Sequence, residues 1–202
     1  MIHILLTVKQ SERFPGKNKL LWPYSRLWLA QEMLYLPDRV ECWWVGDPSE
    51  IPADAPPLWQ VLDIKTGTHR GDIKEACRHI AWQDKDAKFV LIQLTQPLRS
   101  RGLLRRAVTA LDAAEPVVSV TYRRPEGWRI PGSPAKKSEA FRAHVDGQLY
   151  AWKTPNGLDA IFDSPEKCNY LDSCQQSIIA DIDYPADLPP NLPGMAGALL
   201  IS

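Results

Sequence analysis

The stretch that decides the fold is Ile2-His-Ile-Leu-Leu-Thr-Val8, followed by Lys9-Gln-Ser-Glu-Arg-Phe-Pro-Gly-Lys-Asn18. Its first half is a short apolar run ended by polar residues, which is typical of a strand buried on both faces of a parallel sheet. Its second half brings cations and a glycine to the end of that strand. Because ligands of open α/β sheets bind beyond the carboxyl ends of the strands, this segment is a candidate binding loop.

Further along the chain, apolar runs that predict strands alternate with apolar periodicities that predict helices. The strand predictions cover 40–45, 89–94 and 116–122, and the helix predictions cover 25–36, 73–81 and 103–111. A proline-rich stretch at 51–58 predicts a surface loop, since each proline removes a hydrogen-bond donor. Alternating strands and helices imply parallel β-α-β units, so we expect an α/β fold whose loops after Val8 and Leu94 line the site.

The composition is typical of an ordinary globular protein without a strong overall electrostatic field. The 202 residues suit one domain over 1–202, and 45% hydrophobic with 24% charged residues excludes a disordered class. Zero formal charge argues against a nucleic-acid partner, and no apolar run approaches the roughly 20 residues of a membrane span. The four cysteines form no C-x-x-C pair, which predicts buried or incidental thiols, and we expect a cytoplasmic protein.

The segment that leaves the first strand has the chemistry of a phosphate site. Lys17 offers a point charge to phosphate oxygens, Arg13 a forked donor, and Gly16 a close approach of the backbone. The alternative for Lys17 is a surface lysine in a turn. The spacing is not that of a Walker A loop.

Two other charged regions stand out. A basic segment runs from Arg123 to Val145, and a charge run of this kind is typical of a solvated loop. An insertion over 123–147 for sugar binding or dimer contacts is implied only by the family resemblance given below. Asp181 and Asp183 lie two residues apart, so on an extended segment both carboxylates project to one face. The alternative for this pair is a solvated strand end.

Four ordered motifs resemble those of the cytidylyltransferases that include CMP-sialic acid synthetase and CMP-Kdo synthetase. Ser11–Asn18 resembles S-x-R-x-P-G-K-N, and Gln93-Leu-Thr-Gln-Pro-Leu-Arg99 resembles Q-P-T-S-P-L-R. His144-Val-Asp-Gly-Gln-Leu-Tyr150 resembles N-G-x-x-Y, and Ile179-Ala-Asp-Ile-Asp-Tyr-Pro-Ala-Asp-Leu188 resembles D-I-D-x-x-x-D-L. The resemblance implies a Rossmann-like three-layer sandwich with a mainly parallel central sheet, of the nucleotide-diphospho-sugar transferase type.

The same resemblance implies transfer of CMP from CTP to an acidic sugar, a 3-deoxy-ulosonic acid such as a sialic acid or Kdo, with release of pyrophosphate. Magnesium is the implied cofactor, and the implied partners are CTP, a sugar acid and a second copy of the chain in a homodimer. The resemblance implies catalytic roles for Lys17, Arg13 and Lys9, and contacts with the nucleotide for Ser11, Gly16 and Asn18. It implies contacts with the sugar acid for Gln93, Thr95 and Arg99. The implied magnesium ligands are Asp181 and Asp183. Arg99 has an equal alternative as a cover for the following helix.

One departure from the family pattern keeps a second function open. Where the family has A-R-G-G, this chain has Thr7-Val-Lys-Gln10. The missing arginine and glycines would stabilise developing charge on the phosphates, and Lys9 is the expected substitute. The alternatives are therefore an active cytidylyltransferase and a catalytically impaired protein that keeps the nucleotide-binding fold. Nucleic-acid binding through the basic segment is a third and weaker hypothesis, since zero net charge argues against it.

Overall fold

The computed structural model describes residues 1–9, 14–36, 39–96, 99–113, 116–123, 142–153, 157–164 and 167–172. Its strands are β1 (Ile2–Val8), β2 (Val40–Gly46), β3 (Gln60–Leu62), β4 (Lys88–Ile92), β5 (Val117–Arg123), β6 (Arg142–Trp152) and β7 (Asn169–Asp172). Its helices are α1 (Lys17–Met33), α2 (His69–Gln83), α3 (Leu103–Ala113) and α4 (Gly157–Asp163), with a 3-10 turn at Pro48–Glu50. The predicted loop at 51–58 contains no helix or strand.

The strands form one sheet in the order β3-β2-β1-β4-β6-β5-β7. Neighbouring strands run parallel except where β6 pairs antiparallel with β4 on one side and β5 on the other. Two separate apolar clusters cover the two faces, one containing α1 and α3 residues and the other α2 and α4 residues. The predicted three-layer α/β sandwich with a mainly parallel sheet is confirmed.

The two loops expected at the site leave adjacent strands. β1 pairs in parallel with β4, and Leu6 lies opposite Ile92. The segments that follow these two strands therefore leave the sheet at the same edge. At that edge Gly46, with φ of 123°, sits against β1 so closely that a Cβ atom would lie 2.0 Å from the Val8 carbonyl oxygen. The Asp47 amide then donates to the same oxygen at 3.1 Å. The ends of β1 and β2 are thereby locked together.

The boundaries of several elements differ from the sequence predictions. α1 begins at Lys17, eight residues before the predicted start, and β4 ends at Ile92 and not at Leu94. Strands β3 and β7 and helix α4 were not predicted from the sequence. The insertion predicted over 123–147 has strand at both ends, because Arg123 closes β5 and Arg142 opens β6. Residues 124–141 lie outside the described part.

The face that α1 buries is also different from the prediction. The apolar periodicity over 25–36 places Leu27 and Leu34 on the buried face of the helix, but in the structure they are 64% and 78% exposed. The inner stripe consists of Asn18, Leu21, Trp22, Ser25, Trp28, Leu29 and Glu32. It contains three polar residues, Asn18, Ser25 and Glu32, whose side chains have specific partners inside the protein. Hydrophobicity alone therefore selected the wrong side of this helix.

The thiols behave as predicted where they are described. Cys42, Cys77 and Cys168 are buried thiols and not half-cystines. Burial raises the pKa of Cys42 and of Cys77 to about 12, so both remain protonated at neutral pH. Cys174 lies outside the described residues. Among the helices of the described residues, none has the length and apolar character needed to cross a membrane.

Candidate functional site: the carboxyl edge of the sheet

Helix α1 starts directly beside the end of β1 through a left-handed glycine. Gly16 has φ of 73° and ψ of 7° and stands at the N-cap, where an open space surrounds the position of a Cβ atom. The Lys17 amide donates to the Phe14 carbonyl at 3.2 Å, and the Leu20 amide donates to the Gly16 carbonyl at 3.1 Å. Lys17 and Asn18 therefore occupy the first turn of the helix and not the loop before it. This is a correction to the predicted helix start at 25.

The first turn of α1 carries positive charge where helices usually carry negative charge. The N-cap residue Gly16 has no side chain that could accept from the first amides, and no acidic residue occurs in the turn, which contains Lys17 and the exposed Lys19. A helix N-terminus already has a partial positive charge and amides that point outward. Adding lysines is unfavourable for the helix alone but favourable for a bound anion.

Asn18 connects this turn to the end of β1. Its side chain is 3% exposed, and its Nδ2 donates to the Lys9 carbonyl oxygen at 3.1 Å and to Glu50 Oε2 at 3.5 Å. Glu50 belongs to the 3-10 turn after β2. The amide of Asn18 therefore holds three segments of the sheet edge together, and its predicted contact with cytosine or ribose stays a prediction.

Lys9 reaches a loop that the sequence analysis overlooked. Its exposed Nζ donates to the Gly67 carbonyl oxygen at 3.4 Å. The loop at 63–68 is fixed by Asp72, whose Oδ1 accepts from the amide of Thr66 at 2.7 Å and from its hydroxyl at 2.8 Å. Asp72 is also the acidic residue in the first turn of α2, where its charge interacts favourably with the helix dipole. Its hydrogen bonds to Thr66 give it a second role, which is to fix this loop. The sequence signal for this loop was the threonine that precedes α2, since threonine is a preferred N-cap.

A carboxylate with strong local partners lies next to this loop. Asp47 Oδ1 accepts from the Ser49 amide at 3.0 Å and from the Ser49 hydroxyl at 2.8 Å, and Lys65 Nζ lies 3.9 Å away. The hydrogen bond from the Ser49 amide is the main reason why the pKa of Asp47 is held below its usual range, with the Ser49 hydroxyl next. Asp47 is therefore ionised at neutral pH and places negative charge directly after β2, against the end of β1.

The segment after β4 turns one of its predicted substrate residues inward. Arg99 donates from Nε to the Gln148 carbonyl at 3.2 Å, from Nη1 to Ser25 Oγ at 3.0 Å, and from Nη2 to the Gln93 carbonyl. Its guanidinium carbon also lies 5.1 Å from the centre of the Trp28 ring. Burial lowers the pKa of Arg99 to about 9, which leaves it protonated at neutral pH. These contacts join α1, the segment after β4 and β6. They belong neither to the predicted contact with a sugar acid, which stays a prediction, nor to the alternative of a cover for the following helix.

Gln93 and Thr95 lie at the same edge as the cationic turn. Gln93 directly follows β4, and its carbonyl accepts from the Gln96 amide at 3.1 Å to close a turn around Thr95. Both side chains are partly exposed. The described structure therefore brings together the predicted residues Lys9, Gly16, Lys17, Asn18, Gln93 and Thr95 at one edge of the sheet.

The other predicted residues lie outside the described part of the chain. They are Ser11 and Arg13 of the loop before α1, and the two acids proposed for magnesium, Asp181 and Asp183. Within the described residues no group of three histidine, cysteine or acidic side chains is arranged to hold a metal ion.

The fold is of the nucleotide-diphospho-sugar transferase type, and solved structures with that fold cover nearly the whole chain. Bifunctional IspDF from Campylobacter jejuni has a TM-score of 0.60 at 13% identity, over 93% of this chain and 53% of that protein. The chain thus spans about half the length of that bifunctional protein.

Two single-function enzymes match over almost their full length. 4-Diphosphocytidyl-2C-methyl-D-erythritol synthase from Anaerococcus prevotii has a TM-score of 0.54 at 13% identity, over 93% of this chain and 92% of that one. CMP:2-keto-3-deoxy-manno-octonic acid synthetase, solved as a complex with CTP, has a TM-score of 0.56 at 14% identity, over 92% of this chain and 93% of that one. No family model and no curated protein sequence matches the chain. At these identities the likeness establishes the fold.

Proposed function

We propose that this chain is a nucleotidyltransferase that uses CTP and transfers CMP to an acidic sugar, releasing pyrophosphate. The observation that carries the proposal is the lysine-bearing first turn of α1, which has a glycine as its N-cap and lies at the carboxyl end of β1. A triphosphate is the kind of ligand that outward amides and lysines at a helix N-terminus favour. The fold likeness to a synthetase solved with CTP supports cytidine over other nucleosides.

In the proposed reaction a sugar hydroxyl attacks the α-phosphorus of CTP, and the bond to the β,γ-pyrophosphate breaks. Lys17 and the amides of the first turn neutralise charge that grows on the phosphate oxygens. Lys9 leaves the Gly67 carbonyl and takes the position of the arginine that the family carries. Asn18 keeps the Lys9 backbone in place while this happens, because its amide already binds that carbonyl.

Magnesium belongs to the same proposal. Two carboxylates separated by one residue supply the hard oxygen ligands that magnesium prefers, and Asp181 and Asp183 are the proposed ligands. The ion would neutralise charge on the pyrophosphate. The remaining proposals from the sequence are a sugar-acid contact at Gln93 and Thr95, a homodimer, and a cytoplasmic location.

The decisive experiment measures pyrophosphate release from CTP and magnesium with a panel of 3-deoxy-ulosonic acids. Release is expected with at least one acceptor, and Lys17→Ala should lower turnover while leaving the melting temperature unchanged. Lys19→Ala is the matched control, since Lys19 is an exposed lysine of the same turn. Equal turnover in the wild type and Lys17→Ala would remove Lys17 from the site.

The second candidate function is nucleotide binding without catalysis. Two observations favour it: Arg99 donates to three groups of the protein, and Val8 stands where the family has an arginine, with Lys9 one position later. Calorimetry separates the two functions. CTP binding with no pyrophosphate release across the acceptor panel would establish the binding protein and contradict the enzyme.

A further inference from the structure

A second concave site lies between α1 and α3, away from the strand edge. We call it the α1–α3 pocket. It has a volume of about 280 Å³ and is lined by Gln31, Glu32, Tyr35, Arg101, Gly102 and Arg105. Glu32 lies about 21 Å further along α1 than Asn18 at the helical rise of 1.5 Å per residue. The α1–α3 pocket is therefore separate from the proposed nucleotide site.

Two exposed arginines give the α1–α3 pocket its charge. Arg101 precedes α3 and Arg105 lies one helical turn later, so both guanidinium groups project beside the same opening. Neither has an ion-pair partner among the residues that the structure describes. Exposed arginines that form no ion pair with these described residues are well suited to bind a phosphate, because a guanidinium forms paired hydrogen bonds with its oxygens.

The acidic residue in the wall does not cancel this charge. Glu32 is 4% exposed, and its Oε1 and Oε2 accept from the amides of Gly102 at 2.5 Å and Leu104 at 3.0 Å. The carboxylate is thus directed at the N-terminus of α3, whose amides are already occupied. An anion in the pocket would be held by the arginine side chains and not by the helix end.

The remaining lining fits the carbon part of a small ligand. The Tyr35 ring is 57% exposed at the rim, and Gln31 supplies an amide. The volume is close to the lower limit for small-molecule sites, which suits a single small metabolite better than a polymer. We propose that the α1–α3 pocket binds a small organic phosphate, with Arg101 and Arg105 on the phosphate group and Tyr35 against its carbon skeleton.

The test is a titration of the full chain, labelled with ¹⁵N, with phenyl phosphate. The amide signals of Gly102, Arg105 and Tyr35 should shift together and saturate. The double variant Arg101→Gln/Arg105→Gln should weaken binding at least about tenfold, because it removes both charges from an exposed site without touching the core. Arg78→Gln, which changes an exposed arginine on α2, is the matched control and should bind like the wild type.

Three results would overturn the proposal. The first is the absence of shifts at Gly102 and Arg105 over the titration. The second is an equal response to phenol, which would show that the charge has no role. The third is loss of the shifts in Lys17→Ala, which would place the probe in the nucleotide site. Because Lys17→Ala is expected to leave this binding intact, failure of the nucleotidyltransferase proposal would not affect the result.

Discussion

The helices α1 and α3 lie in the same layer, but the side chains at their N-termini have opposite charges. At α3, a carboxylate from α1 accepts hydrogen bonds from Gly102 and Leu104, so the helix end is closed by the protein itself. At α1 the N-cap is Gly16, which has no side chain to accept from the first amides, and lysines take the place of acids. The comparison teaches that one helix end is stabilised by a carboxylate of the protein, while the other, called the open end because its N-cap has no side chain, carries charge that is unfavourable for the helix and favourable for an anion.

Removing the carboxylate that closes α3 should have the largest effect. Glu32→Ala leaves two amides without their acceptor in a buried place, and we expect the free energy of unfolding to fall by about 3 kcal/mol. Urea denaturation measures this change. Gln31→Ala, an exposed neighbour on the same helix, should change it by less than about 0.5 kcal/mol. A similar small change for Glu32→Ala would contradict the closing role.

Removing the lysine at the open end should affect binding instead of stability. Lys17→Ala loses a charge-assisted contact with phosphate, and we expect CTP affinity to fall by about 2 kcal/mol, roughly thirtyfold in Kd. Calorimetry at fixed salt gives the affinity, and Lys19→Ala shows the effect of losing a nearby charge without the direct contact. Identical affinities for Lys17→Ala and the wild type would show that the phosphates lie elsewhere.

The cap of α2 provides an intermediate case. Thr68 Oγ1 accepts from the Gly71 amide at 3.0 Å, so Thr68→Ala should lower the free energy of unfolding by about 1 kcal/mol. Thr68→Ser keeps the hydroxyl and should recover most of this loss. If both variants were equally unstable, the methyl group of Thr68 and not its hydrogen bond would be responsible.

Reversing the charge at the open end should have the smallest effect, with the opposite sign. Lys19→Glu places an acid in the first turn of α1 and should raise the free energy of unfolding by about 0.3–1 kcal/mol while weakening CTP binding. Lys85→Glu, at an exposed position just beyond the C-terminal end of α2, is the opposite control: a negative charge there should lower the free energy of unfolding slightly and leave CTP binding unchanged. The gain should shrink in high salt, because the interaction is exposed. A fall in the free energy of unfolding would show that the positive charge of Lys19 does not destabilise the N-terminus of α1.

The elements that were predicted correctly are those whose apolar pattern matches their burial. The helices α2 and α3 bury the predicted residues, including Ile73, Cys77 and Leu104, and β1 is buried as its apolar run indicates. The inner face of α1 was wrong because Ser25 and Glu32 point inward. Their partners, Arg99 and the amides of α3, are more than sixty residues away, so no local pattern reveals them.

The site was predicted in the same uneven way. The motif at 11–18 located the cationic turn, because strand, glycine and lysine are adjacent in the chain. The contact between Lys9 and Gly67 joins residues 58 apart and follows only from the order of the strands. The sequence left Arg99 equally suited to contact a sugar acid or to cover the following helix, and only its three acceptors show that it holds protein segments together.

The antiparallel strand β6 has a consequence for synthesis on the ribosome. β1, β2, β3 and β4 are neighbours in space and are complete once residue 92 has emerged. β5 emerges next, but its two partner strands, β6 and β7, come later in the chain. In the complete sheet β6 lies between β5 and β4, so β5 does not pair with β4. The nascent chain therefore carries the apolar Val117, Val118 and Val120 without a partner strand until β6 has been made, which is the interval when it most needs a chaperone.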